Sequence, residues 1–371
     1  MTQKINWKSI VGWGIAAVFV IGIIGGNMYQ QSTDNSNKII GFLPLTGRMA
    51  SAGIEEGHGI ELAIDKWNNR GGLLGKKLDV TLEDTRSDPT TALTIFQRNS
   101  VGNYKPLPIY SMISAVALNL KNFTEKDGIT HIGAIGAVNF TNEPNKHLLR
   151  DFASPVIIGK ALIKHVKDKY PNKRMVYFYE NSDNSIDCTA AIKEEITPDF
   201  KVKMLDFDPT MYNFRDLILK AGVDNEKDIV VVMGMGSYLG ILIRQLREYD
   251  YKGPILGDVN ITIGGVVEYA GDAMKNVIVL DYTKNPDSPL CEEVKKAYFQ
   301  KYQKEIPDDI TTYLAYQGID TLLAFYESKG TTDIPNLREA MEGFEHDGCL
   351  GKIIVKNGEI NYPLSFRTVK E

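Results

Sequence analysis

Residues 38–75 read KIIGFLPLTGRMASAGIEEGHGIELAIDKWNNRGGLLG, and a change of period inside this stretch decides the fold. Ile39-Ile40-Gly41-Phe42-Leu43 is a short apolar run of the kind that makes a strand buried on both faces. Pro44 has no N–H to continue a ladder, so the strand should stop there. Thr46-Gly47 opens a loop of small residues. Beyond Ile54 the apolar residues Ile60, Ala63, Ile64 and Trp67 lie three or four apart and draw one stripe along a helix. Asn68-Asn69-Arg70-Gly71-Gly72 ends that helix with residues that tolerate left-handed backbone, and 77–83 alternates as a second strand. This is a β-loop-α-β unit. Its first loop leaves the carboxyl end of the first strand, where open α/β sheets bind ligands.

The same alternation continues outward. Helix 89–101, strand 107–110, helix 116–123 and strand 128–134 complete a first run. A second run comprises helix 154–170, capped by Ser154 with Pro155 at its first position, strand 174–179, helix 186–196, strand 202–207, helix 214–221 and strand 228–233. Two separate runs imply two parallel sheets rather than one extended sheet. Asn285-Pro286-Asp287-Ser288-Pro289 then breaks the chain. Helices 290–302, 313–328 and 335–341 lead to 348–360, a hairpin with Asn357-Gly358 as its two-residue turn.

At 371 residues, 43% hydrophobic and with a formal net charge of −5, the chain suits two globular domains of ordinary size. No basic stripe interleaved with aromatics appears, so nucleic acid is not an expected partner. Residues 1–8 carry Lys4 and Lys8 and no acid, and 10–26 is apolar throughout, about the shortest length that spans a bilayer. No A-x-A type of cleavage site follows. Residues 1–29 are therefore expected to be an uncleaved signal anchor, with a removed signal peptide and a secreted protein as the alternative, 30–37 a polar tether, and the remainder to lie outside the cytoplasmic membrane. Cys188, Cys291 and Cys349 show no metal spacing. Either all three are small buried residues or Cys291 and Cys349 are bridged, and both readings stay open. The five histidines form no ligand pair, and the adjacent acids Glu55-Glu56 and Glu83-Asp84 do not face one another as acid/base work requires. No enzyme and no cofactor are expected. One rival motif, Gly234-Met235-Gly236-Ser237-Tyr238-Leu239-Gly240 after a strand, with Asp258 closing the next, has the spacing of a dinucleotide fingerprint. It lies deep in the chain without first-strand context.

PLTG at 44–47, the N-x-x-G-G-x-x-G helix ending at 68–75 and a strand closing in Glu83-Asp84 together resemble the opening of the leucine/isoleucine/valine-binding proteins. These are exported type I solute-binding proteins. DIVVVMGMGSYLGILIRQLREYDYKGPILGD, 228–258, resembles the family's second-lobe core, and G-x-x-G…N-G-E at 348–359 its closing hairpin. The resemblance implies an α/β fold of two Rossmann-like lobes with parallel sheets, joined by a three-crossing hinge and preceded here by the transmembrane segment. Lobe one is expected at 38–152 and 282–347, lobe two at 153–281 and 348–371. It also implies a small, anionic or amino-acid-like ligand in the cleft and an ABC permease as partner. A sensory partner is the alternative.

The family's ligand positions fall on residues that keep few of its donors. The carboxylate-binding serine at the third strand-to-helix junction falls on Ser114, with Ala115 after it. The loop after the fourth strand supplies Ile135 and Ala137, the latter in place of a threonine. Ala52 replaces a first-loop aromatic, Asn184 a clamping tyrosine, and Met235 another aromatic wall. Asp258 lies one residue from the acid that holds an α-ammonium, and Arg48 is an addition in the first loop. Each polar group left unmatched by a wrong ligand costs about 1–3 kcal/mol, so free leucine is not expected to bind well.

Overall fold

The computed structural model describes residues 37–47, 49–99, 105–141, 145–263, 265–283, 288–307 and 310–369. The anchor expected within 1–29 lies outside them. Among the described residues no helix is long and apolar enough to cross a membrane.

The first run is β1 (Lys38–Leu43), α1 (Ala50–Asn69), β2 (Asp79–Asp84), α2 (Pro89–Asn99), β3 (Ile109–Met112), α3 (Ser114–Asp127), β4 (His131–Ala134) and β5 (Leu148–Arg150). The second is α4 (Pro155–Lys169), β6 (Arg174–Glu180), α5 (Asp183–Glu194), β7 (Val202–Phe207), α6 (Arg215–Ala221), β8 (Asp228–Met233), α7 (Tyr238–Glu248), β9 (Ile255–Asp258), α8 (Val266–Ala270) and β10 (Ile278–Tyr282). The return carries α9 (Pro289–Tyr302), α10 (Thr311–Lys329), α11 (Leu337–Ala340), β11 (Glu345–Gly348), β12 (Gly351–Lys356), β13 (Glu359–Asn361) and β14 (Leu364–Thr368).

These strands form two sheets, ordered β11-β12-β13-β5-β4-β3-β1-β2 and β14-β10-β9-β8-β6-β7. Each contains a parallel core wound alike, β2-β1-β3-β4-β5 in one and β7-β6-β8-β9-β10 in the other. The chain passes between the sheets after β5, after β10 and after β13. Both faces of the central strands are buried, as the apolar run of β1 requires: Ile39 packs in one core cluster, Ile40 and Phe42 in another. The largest cluster runs from Ile39 and Trp67 through Phe152 and Tyr282 to Tyr177 and Val231, so the two lobes share a continuous apolar interior.

The opening motif acquires physical reasons here. The Asn68 amide brackets the backbone of Leu78, donating to its carbonyl at 2.9 Å and accepting its N–H at 2.8 Å. Gly72 takes φ +88° with a would-be Cβ 2.0 Å from the Lys76 carbonyl oxygen, a place no other residue fits. Asp84 anchors the PLTG loop by accepting from the N–H groups of Leu45 and Thr46 and from the Thr46 hydroxyl. Burial opposes ionisation of Asp84, yet the hydrogen bonds from Thr46, Arg86 and Leu45 outweigh it and hold the carboxyl below its ordinary value.

Three expectations change. Strand β5 was not expected; three residues are too few to show a period. Ser154 precedes α4 without a side-chain cap. The boundary placed at Gly348 moves, because β12 and β13 extend the first sheet and only β14 pairs with β10 of the second. Turn signals mark a hairpin but do not say which sheet edge accepts it; here the Arg150 N–H donates to the Gly358 carbonyl at 2.8 Å. Cys291 and Cys349 are bridged, tying α9 to the β11–β12 turn, and Cys188 is free and buried.

The crossings are joined by aromatic and polar contacts. The Tyr362 hydroxyl donates to Asp151 Oδ1 at 2.5 Å, the Ala153 N–H donates to the Tyr282 hydroxyl at 2.7 Å, and the Tyr282 and Tyr362 rings meet edge-on at 5.3 Å. Burial pushes the Asp151 carboxyl well above its ordinary value despite hydrogen bonds from the Tyr362 and Tyr110 hydroxyls.

Candidate functional site

In both lobes the strand order reverses beside the first strand of the core, between β1 and β3 and between β6 and β8. Connections leave such a point in opposite directions and open a crevice at the carboxyl ends. The crevices face each other, and a cavity of about 20 Å³ lies between them, room for about one water-sized sphere. Met49, Met112, Ala134 and Gly136 come to its wall from the loops and strand ends of the first sheet. Met235, Asn260 and Ile263 come from the second, and Ile310, Thr311 and Leu314 from the start of α10. Phe152 at the first crossing closes one side. Most of this wall is apolar, so the cleft suits a solute with an apolar body.

Glu56 is the acid in that wall, 1% exposed. Its neighbour Glu55 points elsewhere, since successive helical residues diverge by about 100°. Glu55 accepts from the hydroxyls of Tyr298 at 2.6 Å and Thr312 at 3.0 Å and from Lys304 Nζ at 2.8 Å. Burial works against its charge, but hydrogen bonds from His58, Lys304 and Tyr298 hold it down at about 2. One residue of the pair ties helices together and the other lines the cleft.

The expected positions divide. Arg48 lies outside the described residues. Ser114 is the first residue of α3 rather than its cap, and its Oγ accepts the Ala137 N–H at 3.0 Å, leaving its own proton to donate. Before it, Ile113 sits at φ 74°, ψ 114°. A β-branched residue there is strained, and such strain concentrates at ligand sites. Ala115 is exposed, Ala52 is buried on α1, and Ile135 packs with Ala117, Phe140 and Leu148 away from the cavity wall. Met235 lines the cavity; Ala137 flanks the lining Gly136. Asn184 is 5% exposed, and neither its Oδ1 nor its Nδ2 has a partner.

Asp258 is wholly buried at the end of β9, accepting the Asn260 N–H at 3.3 Å and its side-chain amide at 2.8 Å. Burial pushes its carboxyl up to about 7 against those bonds. An ammonium group arriving beside it would restore the charge. The glycine-rich turn after β8 is occupied from within: the Met235 N–H donates to Glu180 Oε2 at 2.8 Å, and the Tyr238 hydroxyl donates to the Met235 carbonyl at 2.7 Å. A phosphate would meet a carboxylate where it needs a donor, which argues against the dinucleotide reading.

Of the lining residues sequence reasoning named Met235 and missed the others, among them Glu56, Phe152 and the start of α10. Glu56 had a usable signal: four residues before Ile60 and seven before Ala63, it is an acid on the apolar stripe of α1. The other two reach the cleft only because the chain crosses between lobes.

The profile of the periplasmic binding protein family matches residues 38–371. The chain is similar to the Leu/Ile/Val-binding protein BraC3 of Rhizobium johnstonii, 25% identical over 330 residues that cover 84% of each. Among solved structures it is similar to the leucine-binding protein LivK of Thermotoga maritima, with a TM-score of 0.79 at 22% identity over 90% of this chain and 95% of that one. It is also similar to a solute-binding protein of an R. palustris ABC transporter in complex with benzoate, with a TM-score of 0.78 at 20% identity over 90% and 93% of the two chains.

Proposed function

Because the chain belongs to the periplasmic binding protein family, we propose that it is the extracytoplasmic receptor of an ABC importer, held at the membrane by residues 10–26. Its ligand is a small carboxylate-bearing or amino-acid-like solute with an apolar body. The observation that carries this is the cavity walled by both lobes at the carboxyl ends of both sheets. Ser114 and the free N–H groups at the start of α3 take the carboxylate. Met49, Met112 and Met235 pack the body, their flexible thioethers moving aside as the cleft fills. Asp258 takes an ammonium where the solute has one. The second lobe closes because these contacts exist only in the closed form. The named relatives bracket the chemistry: one is a leucine-binding protein and another holds benzoate.

A thermal-shift series with benzoate, hydroxylated benzoates, leucine and other amino acids tests the reading, since a tight ligand raises the melting temperature. Apolar carboxylates should stabilise the protein more than leucine does. Ser114→Ala should weaken the solute found in this way about tenfold, the worth of one hydrogen bond to a charged group. Unchanged affinity in that variant would remove the carboxylate assignment.

A further inference from the structure

The lobes also meet where the 135–138 loop of the first faces the amino end of α5 in the second. Asp187, half-buried on α5, accepts the Val138 N–H through Oδ2 at 2.9 Å. The loop it seizes is fixed from behind by Arg150, a fully buried guanidinium at the end of β5. Arg150 donates to the Gly136 carbonyl at 3.0 Å, the Val138 carbonyl at 3.1 Å and the Thr141 hydroxyl at 2.7 Å. Glu359 of the first lobe faces its Nε at 3.4 Å, and Asp187 lies within electrostatic reach from across the cleft. The approach is close: a Cβ on Gly136 would stand 2.2 Å from Asn184 Oδ1 and 2.9 Å from Asn184 Cβ.

We propose that Asp187 is an electrostatic latch that holds the two lobes together with no solute between them. When the lobes part, the carboxylate leaves an N–H donor and a guanidinium that cannot follow it. Arg150 is locked to three first-lobe oxygens and keeps only Glu359 as counter-charge. A half-buried carboxylate on a partly buried donor is screened by salt less than a surface pair is. The solute then meets a protein whose closure is partly in place, and less of its binding free energy goes into moving the lobes.

The test uses the full-length protein, dialysed free of solute, with spin labels at Lys126→Cys and Lys193→Cys, exposed positions on α3 and α5. Cys188 is buried and the other two native cysteines are bridged, so the introduced thiols are the reactive ones. The latch requires a predominant short distance in this background, and an increase of about tenfold in the long-distance fraction on adding Asp187→Ala. Asp183→Ala removes an exposed acid one turn earlier on the same helix and should change nothing. A solute-free protein showing only the long distance would overturn the latch. So would an unaltered distribution in Asp187→Ala, or equal opening in Asp183→Ala. No solute enters the measurement, so its outcome is separate from that of the ligand assignment.

Discussion

The two walls of the cleft are built on the same strand order but satisfy their polar groups differently. On the first wall Ser114 is paired with Ala137, Arg150 with the carbonyls of 136 and 138, and Asp84 with the first loop, all within one lobe, while the Val138 N–H is met by Asp187 from across the cleft. The second wall carries a buried amide, Asn184, with no partner on either polar atom. Asp258, although it accepts from Asn260, is buried deeply enough to push its carboxyl up to about 7. A wall satisfied by itself keeps its shape with the cleft empty. A wall left short gains most when a solute or the opposite lobe supplies what it lacks. Asn184 thus makes its stretch of the second wall the responder, beside a first wall whose Ser114 and Arg150 are already held from within.

The largest expected effect comes from removing the first wall's internal support. Arg150→Leu leaves two carbonyls, the Thr141 hydroxyl and Glu359 without their donor. It should lower unfolding stability by about 3–5 kcal/mol. Denaturant unfolding measures this, and a loss below about 1 kcal/mol would mean that the guanidinium is not the loop's support.

Next comes Asp258. Its carboxyl titrates near 7 when folded against an ordinary 3.8. The folded state therefore holds the extra proton between those values, and the wild type loses stability as pH rises through that window. Asp258→Asn removes the titration. It should leave stability nearly unchanged near pH 4 and raise it by on the order of 3 kcal/mol near neutral pH. A difference between the two proteins that stays flat with pH would show that burial at this site is less than the structure indicates.

A smaller change tests the responder wall directly. Asn184→Leu replaces an unpaired amide by an apolar side chain branched at the same carbon. In the absence of solute it should stabilise the protein by about 1–2 kcal/mol. If the amide instead pairs with a bound solute, the same substitution weakens that solute's binding, and the sharpest result is the two effects together in one variant.

Much of the fold was legible because its signals are local. The apolar run of β1, the stripe of α1 and the glycines at 71–72 each report a backbone preference that neighbouring residues enforce. The winding of two separate sheets follows from two runs of alternation. Two of the expected positions lie where loops leave strand ends: Met235 lines the cavity, and Ser114 heads α3. Glu56 and Phe152 were not, nor was the sheet to which β12 and β13 belong. Each depends on which distant edge or crossing a segment meets.

What the sequence determined by itself is the order and kind of elements, since hydrophobic period and turn chemistry act over a few residues. Tertiary structure alone decided that Glu55 is held as a carboxylate among Tyr298, Lys304 and Thr312 while Glu56 faces the cleft. It also decided that Cys291 meets Cys349, and that Asp187 reaches across to Val138. Those outcomes rest on charge, burial and contact between residues far apart in the chain, and no local pattern encodes the distance between them.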